Sequence, residues 1–204
     1  MGDVTDLPRL VVASANPHKV AEIGLVLDGL AVLEPRPTGV PEVVEDGETL
    51  EANARLKAVA ICKVTGEAAV ADDTGLEVDA LGGAPGVHSA RYAASNGSGV
   101  EGDAVANTTR LLYEMASIPV GRRTARFRTV ALVRRPDGSE LVATGTVEGY
   151  IVETPVGDGG FGYDPVFVPA EGDGRTFAEM GDEKHAISHR GRAFRDLARC
   201  LVGT

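Results

Sequence analysis

An apolar run, Ala68-Ala69-Val70-Ala71, leads straight into two adjacent carboxylates, Asp72 and Asp73, then Thr74 and Gly75. No other segment restricts the fold as much. The run reads as a buried strand that delivers acid groups to the edge of a sheet. Carboxylates held there are costly without a positive partner. A hard divalent cation such as magnesium, which prefers carboxylate oxygens, is one such partner. A second reading stays open, because Asp-Asp with a Gly two residues on also suits a turn.

The rest of the composition narrows the choices. A chain of 204 residues, 43% hydrophobic, can bury one sizeable core, as a single domain (1–204) with two lobes at most. A net charge of -10 argues against nucleic acid and anionic membranes as partners. Cys62 and Cys200 fall in predicted helices with no metal spacing around them, so both read as buried thiols in a reducing cytoplasm. Met1 to Pro8 lacks the basic and apolar regions of a leader, and no apolar stretch reaches membrane-spanning length. A cytoplasmic protein is expected.

Local signals set the order of elements. Leu10-Val11-Val12-Ala13 is a short strand, and Asn16-Pro17 opens a helix with Val20, Ile23 and Leu27 on one face. Asp46 caps a second helix over about Gly47 to Val64, with Leu50, Ala54, Ala58 and Ile61 at helical spacing. A loop runs from Asn96 to Asp103, and a third helix covers roughly Ala104 to Ala116. Two β-branched runs, Phe127 to Arg134 and Glu140 to Val152, flank the hairpin signal Pro136-Asp137-Gly138-Ser139. A last helix starts near Ser188. Helices and strands alternate early and a hairpin comes late, which predicts an α/β fold with a mixed central sheet flanked by helices.

Several loops carry chemistry. Ser14-Ala15-Asn16-Pro17-His18-Lys19 joins a strand to a helix start, where backbone N–H groups and a lysine suit phosphate, although taken alone a plain Asn-Pro start with a solvated lysine is the simpler reading. Glu45 has no structural duty and can join a metal site. Asn53 and Lys57, one turn apart, read as a solvated helix face. Phe161-Gly162-Tyr163-Asp164-Pro165 offers a ring beside flexible glycine for stacking on a base, or an aromatic plug in a turn. Lys184, His185, His189 and Arg190 crowd the start of the last helix, where cations are unfavourable unless an anion or an acid sits near.

Taken together and in this order, these segments resemble the inosine triphosphate pyrophosphatase family. The match adds Glu22, Thr49 with Asn53-Ala54 and Lys57-Ala58, and Leu81-Gly82-Gly83-Ala84-Pro85-Gly86 with Ser89-Ala90-Arg91-Tyr92. One departure is Ala52, where many bacterial members carry Glu. The resemblance implies two lobes with a substrate cleft between them. It also implies magnesium-dependent hydrolysis of ITP, dITP and XTP to the monophosphate and pyrophosphate, by a homodimer.

In this family's pattern Asp73 is the catalytic carboxylate and a metal ligand, with Glu45 and Asp72 as further metal-linked acids. Ser14 to Lys19 hold the phosphates and Thr74 touches the substrate. Phe161 stacks on the base, Gly162, Tyr163 and Asp164 line its pocket, and Lys184, His189 and Arg190 contact base and sugar. A donor such as Arg190 facing the C6 oxygen of inosine or xanthine would meet a donor in adenine, which gives selectivity. Two alternatives are a pyrophosphatase for modified pyrimidine nucleotides and a non-catalytic nucleotide sensor. The purine-directed segments speak against the first and the retained acids against the second.

Overall fold

The computed structural model describes residues 7–97 and 100–202. Most of the Met1 to Pro8 stretch therefore lies outside the described residues, as do Ser98 and Gly99 of the loop Asn96 to Asp103. In chain order the elements are β1 (Arg9–Val12), α1 (Pro17–Leu27), β2 (Val32–Glu34), α2 (Leu50–Thr65), β3 (Ala69–Val78), β4 (Pro85–Gly86) and α3 (Ala104–Glu114). Then follow β5 (Thr124–Arg134), β6 (Glu140–Ile151), β7 (Phe167–Pro169), α4 (Phe177–Met180), α5 (Lys184–Ile187) and α6 (His189–Val202).

The strands form one mixed sheet in the order β2-β1-β3-β5-β6-β7, with β4 on β3. Strand β1 runs parallel to β2 and to β3, whereas β3–β4 and β6–β7 are antiparallel. The expected α/β fold is present. Among the described residues no helix is long and apolar enough to cross a membrane. Neither cysteine forms a disulfide; Cys62 is buried, but Cys200 is exposed, contrary to expectation, because it lies off the apolar face of α6.

Two compact units are distinguished by their internal contacts. The first comprises the chain up to Asp73, Thr129–Gly145, and Arg190 onward; the second comprises Thr74–Arg128 and Thr146–His189. Strands β3, β5 and β6 contribute residues to both. In the first unit, Leu10, Val12, Val70, Ala131 and Val133 share a core with Ile23 and Leu27 of α1 and Phe194 and Leu197 of α6. Each strand presents alternate residues there, as a pleated strand must. In the second unit Leu76, Leu111, Phe127, Ile151, Phe167 and Phe177 are among the residues that form the core.

Two boundaries differ from expectation. The Asp72-Asp73 pair neither turns the chain nor ends a strand, because β3 continues through it to Val78, and β3 is an inner strand. Helix α2 starts at Leu50, not Gly47, because Thr49 takes the cap and its hydroxyl accepts from Ala52 N–H at 3.1 Å. Asn16 does cap α1, accepting from His18 N–H and Lys19 N–H.

Tyr92 illustrates how the second unit treats a buried polar group. It is 5% exposed and donates its hydroxyl to Glu114, with the Arg110 guanidinium 4.0 Å from its ring centroid. Burial first, then the bond to Glu114 and its charge, push the phenol up to about 12. A folded value above the unfolded one of about 10 gives a stabilising contribution that is complete below pH 10. It is lost as pH rises through 12. Chemical denaturation between pH 9 and 12 should therefore show a stability loss that Tyr92→Phe largely removes.

Candidate active site

Strand geometry decides where the two carboxylates go. Adjacent residues of a strand point to opposite faces of the sheet. Asp72 follows Val70 by two positions and shares its face, where α1 and α6 pack; Asp73 takes the other. Each carboxylate is then met by cations from its own side.

On the first face Asp72, 1% exposed, accepts from Arg190 Nε and Nη2, both at 3.2 Å, and lies 3.3 Å from Lys19 Nζ. Arg190 Nη1 donates to Glu22 of α1. Although burial opposes it, the charges of Lys19 and Arg190 hold the Asp72 carboxyl well below the usual carboxylate range. Lys19 is in the first turn of α1, where the helix dipole disfavours a cation, and Asp72 offsets that. Burial nonetheless pulls the Lys19 amine down from its ordinary value, and Lys57 and Arg190 add to the effect against Asp72. An incoming anion would favour the charged amine, which suits a phosphate.

Backbone amides of this loop are engaged within the loop itself. The N–H groups of His18 and Lys19 already donate to Asn16 Oδ1 at 2.9 and 3.3 Å, and Asn16 N–H donates to Ser14 Oγ at 3.2 Å. Pro17 has no N–H. Ala15 to His18 are exposed, and the Lys19 side chain is the charged group of this loop.

On the other face Asp73, 6% exposed, takes part in a second network. Lys57 Nζ of α2 donates to Asp73 Oδ1 at 2.9 Å and to Glu45 Oε2 at 3.1 Å. Asn53 Nδ2 donates to Asp73 Oδ2 at 3.3 Å. Burial pushes the Glu45 carboxyl up, Lys57 opposes this, and the nearby Asp73 charge adds to it. Lys57, by contrast, is held above its ordinary value: burial disfavours its charge, but Asp73, Asp72 and Glu45 outweigh that.

Two acids thus converge with one lysine between them, leaving a net negative charge. That donor set fits a hard divalent cation. Among the described residues no three or more His, Cys, Asp or Glu side chains group into a metal cage. A hard divalent cation that shares its ligands with substrate phosphates needs only one or two carboxylates from the protein. Asp72 bonds Arg190 and Lys19 on the opposite face of β3, although its charge still acts on Lys57.

The residues expected from sequence to meet the base, Arg190 apart, lie in the second unit. Lys184 Nζ is 2.8 Å from Asp164 Oδ2 and 4.9 Å from the centroid of the half-buried Phe161 ring. The same Asp164 oxygen accepts from Phe161 N–H at 2.8 Å. Gly160 makes this approach possible, since a Cβ there would lie 2.2 Å from Asp164 Oδ2. Tyr163 is buried and donates to Ser89 O at 2.9 Å, a structural anchor. His189, 3% exposed, stacks on Phe127 at 4.5 Å with the rings 13° apart. Thr74 is half-buried in β3, and Gly162 is half-buried with its carbonyl accepting from Thr108 Oγ1 at 3.4 Å.

Arg190 therefore departs from the base-reading role. All three of its guanidinium nitrogens donate to carboxylates in the first unit. Asn53 and Lys57 depart the other way, being buried and bonded to Asp73 where a solvated face was expected. A signal was present: each sits one residue before a core position of α2, Ala54 and Ala58, and so at the rim of the apolar stripe. Arg36 carried no signal. Its guanidinium bonds the carbonyls of Ala13, Val40 and Pro41, which lead into the Lys19 loop and the Glu45 segment.

Comparisons with known proteins agree over nearly the whole chain. The model of the Ham1 family matches residues 10–200. A dITP/XTP pyrophosphatase of Symbiobacterium thermophilum is 48% identical over 198 residues, covering 95% of this chain and 93% of the relative. One from Geobacter sulfurreducens is 47% identical over 192 residues, covering 92% and 93%. Among solved structures, a HAM1 protein from Coxiella burnetii has a TM-score of 0.86 at 36% identity, covering 97% of this chain and 100% of that one. A nucleoside-triphosphatase / dITP/XTP pyrophosphatase from Mycobacterium abscessus has a TM-score of 0.73 at 47% identity, covering 95% and 98%.

Proposed function

The chain belongs to the Ham1 family, and from that premise we propose that it is a nucleoside triphosphate pyrophosphatase. It hydrolyses noncanonical purine nucleotides, ITP, dITP and XTP, to the monophosphate and pyrophosphate, and so clears them from the nucleotide pool. The names of relatives identical at 44–48% over more than nine-tenths of the chain support the substrate class. The observation that carries the chemistry is the cluster in which the buried Lys57 Nζ bridges the buried Asp73 and the half-buried Glu45.

In this reading Asp73 and Glu45 would hold magnesium, which when bound would supply positive charge for the phosphates and acidify a water. Asp73 orients the attacking water and accepts its proton. The water oxygen attacks the α-phosphorus, the bond from that phosphorus to the bridging oxygen breaks, and pyrophosphate leaves with the electron pair. Lys19 and Lys57 stabilise the charge that builds on the phosphate oxygens. Asp72 does not touch substrate; it keeps Lys19 charged and in place, and Arg190, itself anchored on Glu22, holds Asp72. The Ser14 to Lys19 loop and Thr74 contact the phosphates. Phe161 stacks on the purine, Gly162 to Asp164 shape its pocket, and Lys184 and His189 complete it.

Incubation with magnesium and dITP, XTP, dATP or dUTP, followed by product identification, tests this function. Pyrophosphate and monophosphate from dITP and XTP, with little from dATP and dUTP, is the expected result. Binding without turnover would leave a nucleotide sensor, and orthophosphate as the sole anion released would exclude attack at the α-phosphorus. Omitting magnesium should remove activity, and light scattering should show a homodimer. We place the enzyme in the cytoplasm, where its substrates form and where the free thiol of Cys62 stays reduced.

A further inference from the structure

Asn53 is completely buried, and an amide side chain in that position is costly unless both its ends are bonded. Both are. Its Oδ1 accepts from Gly47 N–H at 2.9 Å, and its Nδ2 donates to Asp73 Oδ2 at 3.3 Å. One planar group therefore spans the segment that bears Glu45 and the strand that bears Asp73. A backbone N–H needs an acceptor and a carboxylate needs a donor, and an amide offers both on two separate atoms, so that it can bridge the two. The approach is tight. A Cβ on Gly47 would lie 2.7 Å from Asn53 Oδ1 and 2.8 Å from Ala52 Cβ.

We infer that Asn53 is a positioning residue for the hydrolytic reaction, fixing Glu45 relative to Asp73 through Gly47, and that Gly47 must lack a side chain for this clamp to close. The inference rests on the pyrophosphatase reading. The Glu45 segment lies outside regular structure, and Lys57, on a flexible four-carbon stem, fixes distance poorly by itself. A planar amide with both ends engaged fixes orientation as well. Groups that orient metal-binding carboxylates without touching the metal typically contribute 10–100-fold to affinity or activity.

The test compares the full chain with Asn53→Ala and Gly47→Ala, using manganese as the probe. Manganese binding, followed by the loss of the free-ion electron paramagnetic resonance signal, should weaken by roughly 10-fold in both variants. With dITP, kcat should fall by about 10–100-fold while KM changes by less than about threefold. Gly47→Ala removes no polar group, so the same pattern from it identifies the clamp. Thermal melts show whether each variant folds.

Folded variants with unchanged manganese binding and kcat would overturn the inference. So would a loss confined to KM, or the failure of both variants to fold where the parent chain does, which would make the pair purely structural. If the parent chain itself yields no pyrophosphate from dITP, the enzymatic reading fails, and the manganese comparison still judges the clamp.

Discussion

Asp73→Asn should give a folded protein that still binds dITP and releases pyrophosphate at least about 10³-fold more slowly. The substitution keeps volume and shape, and Asn at this position can still accept from Asn53 Nδ2. Lys57 keeps Glu45 at 3.1 Å, so the buried amine is not stranded. What disappears is the charge, and with it the proton acceptor and one of two carboxylates for magnesium. A pyrophosphate-release assay at saturating dITP, beside a thermal melt and a binding titration, checks this. Turnover within tenfold of the parent chain, or a collapse in melting temperature, would remove Asp73 from the chemistry.

Arg190→Ala should be the most destabilising of the site substitutions. Arg190 is 1% exposed, and its guanidinium faces Asp72 and Glu22, whose side chains are 0% and 10% exposed. Removing one partner of a buried ion pair costs about 3–5 kcal/mol because the other charge stays behind. Lys19 remains beside Asp72, while Glu22 loses the guanidinium it is paired with. For a chain of this length each kcal/mol lowers Tm by about 2–4 °C, so a drop of roughly 6–20 °C is expected. Calorimetry on the two proteins measures it directly. Arg190→Lys should recover part of the loss, since an ammonium can meet one acid but not fork between two. A Tm within 2 °C of the parent chain for Arg190→Ala would mean that the network contributes little.

Much of the fold was legible because its signals are local. Asn16-Pro17 starts α1 through a side chain bonding N–H groups two and three residues on. The Pro136 to Ser139 turn joins β5 to β6, and Gly138 takes the left-handed conformation there with φ 92°. The acid groups of the site, the lysines and the aromatic loop could also be picked out as residue types in order. Their partners could not. Arg190 meets Asp72 across 118 residues and Glu22 across 168, so no local pattern reports the pairings. Asn53 and Lys57 look like a solvated pair until β3 is laid beside α2. The Asp72-Asp73 pair resembled a strand end because two carboxylates inside a central strand are costly, and only remote cations offset that cost.

The alternation of Asp72 and Asp73 along β3 has an evolutionary corollary. Pairing of β1 with β3 aligns Val11 with Ala69 and Val12 with Val70. Deleting or inserting one residue between Val70 and Asp72 would swap the two carboxylates between faces, sending the acid meant for Lys57 toward Arg190 and the reverse. Each would still find a lysine, so such a chain could fold while losing the geometry of hydrolysis. The length of this short segment is therefore constrained as strictly as its residue types, and natural variation in it should consist of substitutions and never of gaps.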